Sequence, residues 1–226
     1  MTKGLYRRIV MMGPPGSGKG TQSAILSEKL QLTAISTGDL LRQVAGEDSK
    51  IGQKIKKLID KGNFVSDDLI IKVMESELEK MDKEHGYVLD GFPRTLEQAK
   101  ALDKMLSTRS MKEKGMAIDL VILLQVPDDY VIERIIGRSK CACCGALYHE
   151  RYKQPKSFGI CDVCGNKEFT RRADDTYETV LLRLQKYRLV TAPVIPYYEE
   201  KGLLVCIDGT GPIDVVSEKI RKVTGY

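Results

Sequence analysis

The stretch GPPGSGKGT, residues 13–21, follows a short apolar run and opens a segment with helical periodicity. Strand, glycine-rich loop and helix in this order are the setting in which the pattern G-x4-G-K binds a phosphate chain. Glycines let successive backbone N–H groups face the phosphates, and the helix N-terminus adds partial positive charge. The loop therefore predicts a nucleotide-phosphate site, with Lys19 supplying a point charge to the terminal phosphates.

The loop departs from the general pattern at one position. Serine or threonine normally follows the lysine directly and its hydroxyl binds magnesium, whereas here Gly20 precedes Thr21. We therefore expect magnesium to be held through waters, with an acidic side chain as its protein partner. Asp90, at the end of an apolar run, is the candidate for that partner.

Apolar runs alternate with amphipathic stretches along most of the chain. The predicted strands, most of them apolar enough to be buried on both faces, lie at 9–12, 33–36, 87–90, 120–124 and 203–207. The predicted helices lie at 18–29, 38–45, 49–61, 66–81, 96–107, 128–136, 175–201 and 213–223. This alternation is typical of an α/β fold with a doubly wound, five-stranded parallel sheet.

The cysteines are concentrated in one region that breaks this alternation, residues 137–173. Cys141 with Cys144 and Cys161 with Cys164 form two C-x2-C pairs separated by 16 residues. This spacing is typical of a four-thiolate site for structural Zn²⁺ and not of a disulfide framework. We therefore interpret the region as a small inserted flap stapled by zinc, in a protein of a reducing compartment.

Two other thiols have plainer interpretations. Cys143 lies inside the first cysteine pair and is interpreted as a spare thiol, because using it as a ligand would change the spacing. Cys206 lies in the last apolar run and is expected to be a small apolar residue of a buried strand.

Composition places the 226 residues among ordinary globular proteins, with 42% hydrophobic and 30% charged residues. The apolar runs are too short to cross a bilayer, and the N-terminal residues favour a first strand over a signal peptide. A net charge of +5 suits anionic ligands without indicating nucleic acid. We expect a cytoplasmic protein with no membrane or nucleic-acid partner.

Two further segments carry chemistry suited to a second anionic ligand. STGDLLR (residues 36–42) and DGFPRT (residues 90–95) each follow a predicted strand, at the carboxyl edge where doubly wound sheets bind ligands. Their arginines, Arg42 and Arg94, can hold phosphate oxygens with two parallel hydrogen bonds. Together with the glycine-rich loop they predict two phosphate-bearing ligands at one edge of the sheet.

These motifs, with Gln98 and the sequence RRADD after the cysteine region, resemble the adenylate kinase family in its long form with a zinc-bearing lid. The similarity covers essentially the whole chain, in order. It implies a magnesium-dependent enzyme that catalyses ATP + AMP ⇌ 2 ADP, a monomer with ATP, AMP and ADP as its small-molecule partners. It also implies a nucleotide-binding core (1–36, 66–136 and 175–226), an AMP-binding helical flap (37–65) and a zinc-containing lid (137–174).

The resemblance also implies roles for individual residues. The ATP side comprises Gly16, Ser17, Gly18, Lys19, Gly20, Thr21, Arg134, Leu147, Tyr148 and Gly211. The AMP side comprises Thr37, Arg42, Asn63, Phe64, Val65, Gly91, Phe92, Pro93, Arg94, Gln98, Arg172 and Arg183. The catalytic set comprises Lys19, Asp90, Arg94, Arg138, Arg172 and Arg183. Gln98 would read the adenine edge, and Arg172 is preferred to Arg171 because it directly precedes Ala-Asp-Asp.

The AMP phosphate that attacks is already ionised at neutral pH, so the reaction needs no general base. The chain accordingly has two histidines, and neither lies in a recognised motif. Catalysis then depends on positioning and on charge neutralisation. We expect replacement of Arg138 or Arg94 by alanine to reduce turnover far more than it disturbs folding.

Two other functions remain open on the sequence. GTP could replace ATP as the donor, since the resemblance implies that the donor base is held largely by backbone and one arginine. More distantly, the basic cysteine region could be a zinc ribbon that binds nucleic acid, although this would leave the glycine-rich loop, DGFPRT and Gln98 unexplained. A pyrimidine-monophosphate kinase fits the long lid and Gln98 less well.

Overall fold

A computed structural model of the protein describes residues 6–60, 65–81, 86–113, 115–171 and 175–226, with the backbone alone at 59 and 60. Its strands are β1 (Arg8–Met12), β2 (Thr33–Ser36), β3 (Tyr87–Asp90), β4 (Leu120–Gln125), β5 (Arg138–Cys141), β6 (Leu147–His149), β7 (Phe169–Thr170) and β8 (Leu204–Asp208). Its α-helices are α1 (Lys19–Leu30), α2 (Thr37–Ala45), α3 (Lys50–Asp60), α4 (Asp67–Glu79), α5 (Leu96–Leu106), α6 (Arg109–Glu113), α7 (Asp128–Ile136), α8 (Tyr177–Lys186), α9 (Val194–Glu200) and α10 (Ile213–Thr224).

Five parallel strands form the central sheet in the order β2-β3-β1-β4-β8. The three inner strands are almost wholly buried, as their continuous apolar runs predict. Helices cover both faces of the sheet, and each face has its own cluster of buried side chains. The predicted α/β fold with a five-stranded parallel sheet is confirmed.

Parallel strands bring their carboxyl ends to one edge of the sheet. The glycine-rich loop follows β1, Ser36 and Thr37 stand at the junction of β2 and α2, and the DGFPRT segment begins at the last residue of β3. The central position of β1 places its loop between the ends of β3 and β4. The fold therefore gathers the three predicted phosphate-binding segments at one edge.

The cysteine region has regular structure that its sequence did not predict. β5, β6 and β7 form a separate antiparallel sheet in the order β6-β5-β7. These strands have two to four residues each, too short to give a recognisable alternation. The region is thus a small β element inserted between α7 and α8.

The predicted helix over 175–201 is interrupted in the structure. α8 ends at Lys186, five residues of π-helix follow (Tyr187–Thr191), and α9 begins after Pro193. Proline lacks the N–H that an uninterrupted helix would need at this position, so a break here has a direct chemical cause. The short helix α6 was also missed, because five residues with a single apolar one, the buried Met111, carry little periodic signal.

The expectation for Cys206 is wrong, because this residue is exposed. It belongs to β8, which lies at the edge of the sheet, where a strand has a neighbour on one side only. β2 at the opposite edge also has exposed residues. In the described part of the chain, no helix has the length and apolar character needed to cross a membrane.

Candidate functional site

The glycine-rich loop wraps around the amino group of its own lysine. Lys19, the first residue of α1, donates from Nζ to the carbonyl oxygens of Gly13 at 2.7 Å and Pro14 at 2.8 Å. Ser17 in the same loop is buried, at 2% exposure. The loop thus holds a cation at the point where the positive end of the α1 dipole lies. A positive charge at this point suits a phosphate ligand, which stays the prediction for this loop.

The unusual Gly20 has a structural explanation. A Cβ atom at this position would lie 3.3 Å from Oδ2 of Asp90, which is tighter than ordinary van der Waals contact. The absence of a side chain therefore lets the carboxylate at the end of β3 approach the first turn of α1 closely. Gly20, which departs from the usual loop pattern, and Asp90, the predicted acidic partner of magnesium, are therefore in contact with each other.

Charged groups from separate elements influence one another in this cleft. Burial lowers the pKa of Lys19 to about 8; Asp90 opposes this shift, while Arg94 and Arg183 add to it. Burial raises the pKa of Asp90, against the effect of Lys19 and Arg94. Burial also lowers the pKa of Arg94, with Arg183 contributing. The predicted catalytic groups Lys19, Asp90, Arg94 and Arg183 therefore share one electrostatic environment.

Backbone geometry places Arg94 at this cleft. Its Nε donates to the carbonyl oxygen of Gly91 at 2.8 Å, and Gly91 has a φ of +83°. The positive φ favours glycine there, whereas a Cβ atom at Gly91, 2.8 Å from Nη2 of Arg94, would only displace the end of that flexible side chain. Phe92 and Pro93 between them are buried and joined by a cis peptide bond. Arg94 as a whole residue is exposed, while its guanidinium end is partly desolvated among the neighbouring charges.

The other predicted AMP-side residues lie at the start of α2 and beyond α3. Thr37 is buried and its Oγ1 donates to the carbonyl oxygen of Asp90 at 3.3 Å, which joins β2 to β3 at the carboxyl edge. Arg42 is exposed and pairs with Asp39 of the same helix. Val65 is half-buried and packs against the core. Asn63 and Phe64 lie outside the described residues.

Gln98 is buried, and both ends of its amide have protein partners. Its Oε1 accepts from the backbone N–H of Arg94 at 2.7 Å, and its Nε2 donates to Oδ1 of Asp67 at 2.7 Å. Gln98 therefore ties the Arg94 segment to the first residue of α4. The sequence predicted its place beside Arg94 but not the role of Asp67.

Arg134 of α7 connects two parts of the predicted ATP side. Its Nη2 donates to the carbonyl oxygen of Gly211 at 3.1 Å, and its Nη1 lies 3.4 Å from that of Ser17. The structure thus brings Arg134, Gly211 and the glycine-rich loop together.

A buried carboxylate that the sequence analysis did not single out organises the lid arginines. The side chain of Asp175 is 2% exposed and accepts two hydrogen bonds from Arg138, at 2.6 and 3.0 Å. Arg183 of α8 lies 3.6 Å from the same carboxylate. Asp175 is the last residue of the RRADD sequence. Its contact with both Arg138 and Arg183 becomes apparent only in the structure, where β5 approaches the start of α8.

The remaining predicted arginine cannot be placed, because Arg172 lies outside the described residues. Its neighbour Arg171 is exposed, pairs with Glu150 at 3.0 Å, and lies 3.4 Å from the carbonyl oxygen of Ile136. Arg171 therefore has partners of its own at the base of the cysteine region.

The four predicted metal ligands converge. The Sγ atoms of Cys141, Cys144, Cys161 and Cys164 all lie within 4.8 Å of one another, with two pairs at 3.5 Å. Four tetrahedral Zn–S bonds of ~2.3 Å place sulfur atoms at about this separation. The donor set and its geometry therefore fit zinc, and four thiolates leave no open position for a substrate.

Tyr148, predicted on the ATP side, packs against the cysteine cluster. Its ring is 4% exposed and packs edge-on against Phe169. Its hydroxyl lies 3.4 Å from Sγ of Cys161, and this hydrogen bond is the main reason that the pKa of the Cys161 thiol falls to about 6. Leu147, the preceding residue, is half-buried in β6.

The base of the cysteine region is attached to α7. His149 accepts backbone N–H bonds from Arg151 and Tyr152 at Nδ1, so Nε2 carries the proton and faces the carbonyl oxygen of Glu133 at 3.2 Å. The Glu133 carboxylate binds Arg151 at 2.5 Å and the Tyr152 hydroxyl at 2.7 Å. Glu133 therefore contacts three residues at one end of the inserted element.

Comparison with known proteins agrees with this geometry. A family model described as adenylate kinase matches residues 11–203, which span the glycine-rich loop, DGFPRT and the cysteine cluster. The chain belongs to the adenylate kinase family. The adenylate kinase of Paramagnetospirillum magneticum is 45% identical over 215 residues, covering 95% of this chain and 97% of that protein. That of Clostridium tetani is 43% identical over 217 residues, covering 96% of this chain and 98% of that protein.

Membership of the adenylate kinase family confirms the predicted enzyme class, a nucleotide-binding phosphotransferase. The cysteine cluster fits the zinc-bearing lid of the long form that the sequence resembles. The roles of individual residues rest on the geometry described above.

Metal removal tests the interpretation of the cysteine cluster. We expect chelation to lower the melting temperature more than it lowers the initial rate at low temperature, because the four thiolates stabilise a small element with little core. Zinc content by atomic spectroscopy, thermal unfolding and initial rates on the same samples measure this. Activity lost in proportion to zinc while the element stays folded would contradict a purely structural role.

Proposed function

We propose that the protein transfers a phosphoryl group reversibly between ATP and AMP, giving two ADP, and so contributes to adenylate energy homeostasis. The observation that carries this proposal is the grouping of Lys19, Asp90 and Arg94 at the carboxyl edge of the sheet, where Asp90 lies against the first turn of α1 and Arg94 bonds Gly91, and where Arg183 is near enough to add to their electrostatics. These groups come from α1, the end of β3, the loop after it, and α8. Cations from separate elements can surround the two phosphate chains of donor and acceptor.

The chemistry then requires positioning and charge. The attacking AMP oxygen is already ionised, so no group has to remove a proton, and the cations hold two anions together against their mutual repulsion. Lys19 is placed for the terminal donor phosphates, and Arg94 for the acceptor phosphate. Arg138 and Arg183, held by Asp175, supply positive charge to the transferred group.

We infer that magnesium accompanies ATP. Asp90 offers a carboxylate oxygen against the first turn of α1, which suits a hydrated cation held through water. When bound, the ion would neutralise negative charge on the donor phosphates. Thr21 follows Gly20 in the same turn, and its hydroxyl, like that of Ser17, is two residues from Lys19 in sequence.

Two mobile elements are part of the proposal, with the boundaries 37–65 for an AMP flap and 137–174 for the zinc lid around a core of 1–36, 66–136 and 175–226. Water competes with AMP for the phosphoryl group, and closure over both substrates would exclude it. The separate antiparallel sheet of the lid, which contacts α7 through Glu133 and through the approach of Arg171 to Ile136, supports movement as a unit. Solution scattering with a bisubstrate analogue should record a decrease in the radius of gyration.

We further propose a cytoplasmic monomer acting on small molecules, without a nucleic-acid partner. GTP remains a second candidate donor, because the contacts of Arg134 are to backbone carbonyls of Ser17 and Gly211 and read no base. A panel of ATP and GTP with AMP as acceptor tests the reaction, with coupled detection of ADP. ATP is expected to give the higher kcat/KM, and absence of AMP-dependent turnover with either donor would refute the proposal.

Arg94 gives a clean test of the acceptor side. Its side chain bonds the carbonyl of Gly91 and the residue as a whole is exposed, so replacement by alanine removes charge without leaving a buried carboxylate unpaired. We expect Arg94→Ala to lower kcat/KM for AMP by at least about 100-fold, as for a lost oxyanion donor. The melting temperature should hardly change, and Arg109→Ala, in an exposed helical ion pair, is the control. A normal rate in Arg94→Ala would overturn the assignment.

A further inference from the structure

Gln98 sits in a polar network whose members fix the direction of its side-chain amide. The backbone N–H of Arg94 can only donate, and it lies 2.7 Å from Oε1. The carboxylate of Asp67 can only accept when ionised, and its Oδ1 lies 2.7 Å from Nε2. Rotating the Gln98 amide by half a turn would place its NH2 group against the N–H of Arg94, so that two donors face each other. It would also place its oxygen against the carboxylate of Asp67, so that two acceptors face each other.

Asp67 is itself fixed in orientation. Its second oxygen, Oδ2, accepts from Oγ1 of Thr95 at 2.6 Å. The Thr95 oxygen in turn accepts from the backbone N–H of Gln98 at 3.1 Å and caps α5. Both carboxylate oxygens are thus engaged, and the Thr95 proton has one direction in which to point. We call this set of four residues, Asp67, Arg94, Thr95 and Gln98, the amide lock.

The lock leaves the amide with one unused hydrogen on Nε2 and one unused lone pair on Oε1. Adenine presents a donor (N6–H) beside an acceptor (N1), whereas hypoxanthine and guanine present an acceptor (O6) beside a donor (N1–H). An amide with a fixed orientation can form both hydrogen bonds with one of these two patterns, whereas with the other it places donor against donor and acceptor against acceptor. An amide that can rotate accommodates both, because its two ends exchange places.

We propose that Asp67 is a specificity-determining positioning residue, which holds the Gln98 amide in the orientation that accepts adenine and rejects 6-oxopurine monophosphates. This rests on the proposed function, in which AMP is the acceptor and Gln98 meets its base. Asp67 does not touch the nucleotide. It acts through Gln98, by making one of the two amide orientations electrostatically unfavourable.

The test is the acceptor preference of Asp67→Asn. Asparagine has nearly the same shape but can donate as well as accept, so one of the two restraints on the Gln98 amide is lost. We expect the ratio of kcat/KM for AMP to that for IMP to fall by about tenfold, the range that a bidentate base contact supplies. The two nucleotides carry identical phosphates, so a general loss of activity leaves this ratio unchanged.

Two variants control the result. Asp68→Asn makes the same charge change in the same first turn of α4, at an exposed position, and should keep the wild-type ratio. Asp67→Glu keeps an acceptor-only group and should restore the AMP preference relative to Asp67→Asn. If Asp67→Asn is unfolded at the assay temperature, Thr95→Val replaces it as the test. This variant removes the hydrogen bond to Oδ2 of Asp67 but keeps the Asp67 charge, and it should lower the AMP-to-IMP ratio of kcat/KM by a smaller factor.

An equal loss of kcat/KM for AMP and IMP in Asp67→Asn would overturn the amide lock and leave the proposed function intact. A wild-type protein that fails to phosphorylate AMP would instead refute the proposed function, and the lock with it. A ratio that falls in Asp67→Asn and stays unchanged in Asp68→Asn supports the lock.

Discussion

Replacing Lys19 by methionine is expected to lower kcat by about 1,000-fold, the upper end of the effect of losing one charged or hydrogen-bonding group that stabilises a transition state. Methionine keeps much of the length and the helix preference of lysine but removes the charge. The amino group lies where the loop carbonyls of Gly13 and Pro14 and the start of α1 meet. Steady-state rates with ATP and AMP in saturating magnesium measure the effect.

The pH profile gives this prediction a second readout. The pKa of Lys19 is about 8, lowered by burial, so the ligand-free enzyme loses this charge as the pH rises through that value. We expect kcat/KM of the wild type to fall above pH 8 and that of Lys19→Met to show no such fall. Lys29→Met, in the last turn of the same helix, should behave as wild type. A Lys19→Met variant with more than about a tenth of normal activity would contradict the assignment.

Replacing Asp175 by asparagine is expected to lower both stability and rate. The carboxylate is 2% exposed and accepts two hydrogen bonds from Arg138, with Arg183 at 3.6 Å. Removing one partner of a buried pair leaves charge uncompensated, which costs about 3 kcal/mol of unfolding free energy, or a melting temperature about 8 °C lower. Thermal unfolding and kcat on the same preparation measure both consequences.

Glu218→Gln is the matched control for Asp175→Asn. It breaks an exposed ion pair with Arg221 in α10, where solvent already screens both charges. Little change in melting temperature or rate is expected. If Asp175→Asn also left the melting temperature and the rate unchanged, the buried carboxylate would have no part in holding Arg138 and Arg183.

The same contact revises the expectation for Arg138. From the sequence, Arg138→Ala should reduce turnover with little effect on folding. In the structure this substitution would leave Asp175 buried beside a more distant Arg183. Arg138→Ala therefore tests stability and catalysis together, whereas Arg94→Ala tests catalysis alone.

Features encoded by local pattern were predictable from the sequence. The loop before Lys19 and the cysteine spacing each specify chemistry through residues close together in the chain. Contacts such as Asp67 with Gln98 were not predictable, because they join helices that only tertiary packing brings together. The exposure of Cys206 was missed for a related reason, since an apolar run does not reveal whether its strand is central or at an edge.

Adjacent residues of α7 face two different parts of the protein. Glu133 holds His149, Arg151 and Tyr152 at the base of the lid, while Arg134 reaches Ser17 and Gly211. A rotation of this helix turn that alters one set of contacts must alter the other. Under the proposed function, in which the donor binds beside Arg134 and the lid closes over it, lid position and donor binding are thermodynamically reciprocal: whatever free energy the donor contributes to closing the lid, the closed lid returns as tighter binding of the donor.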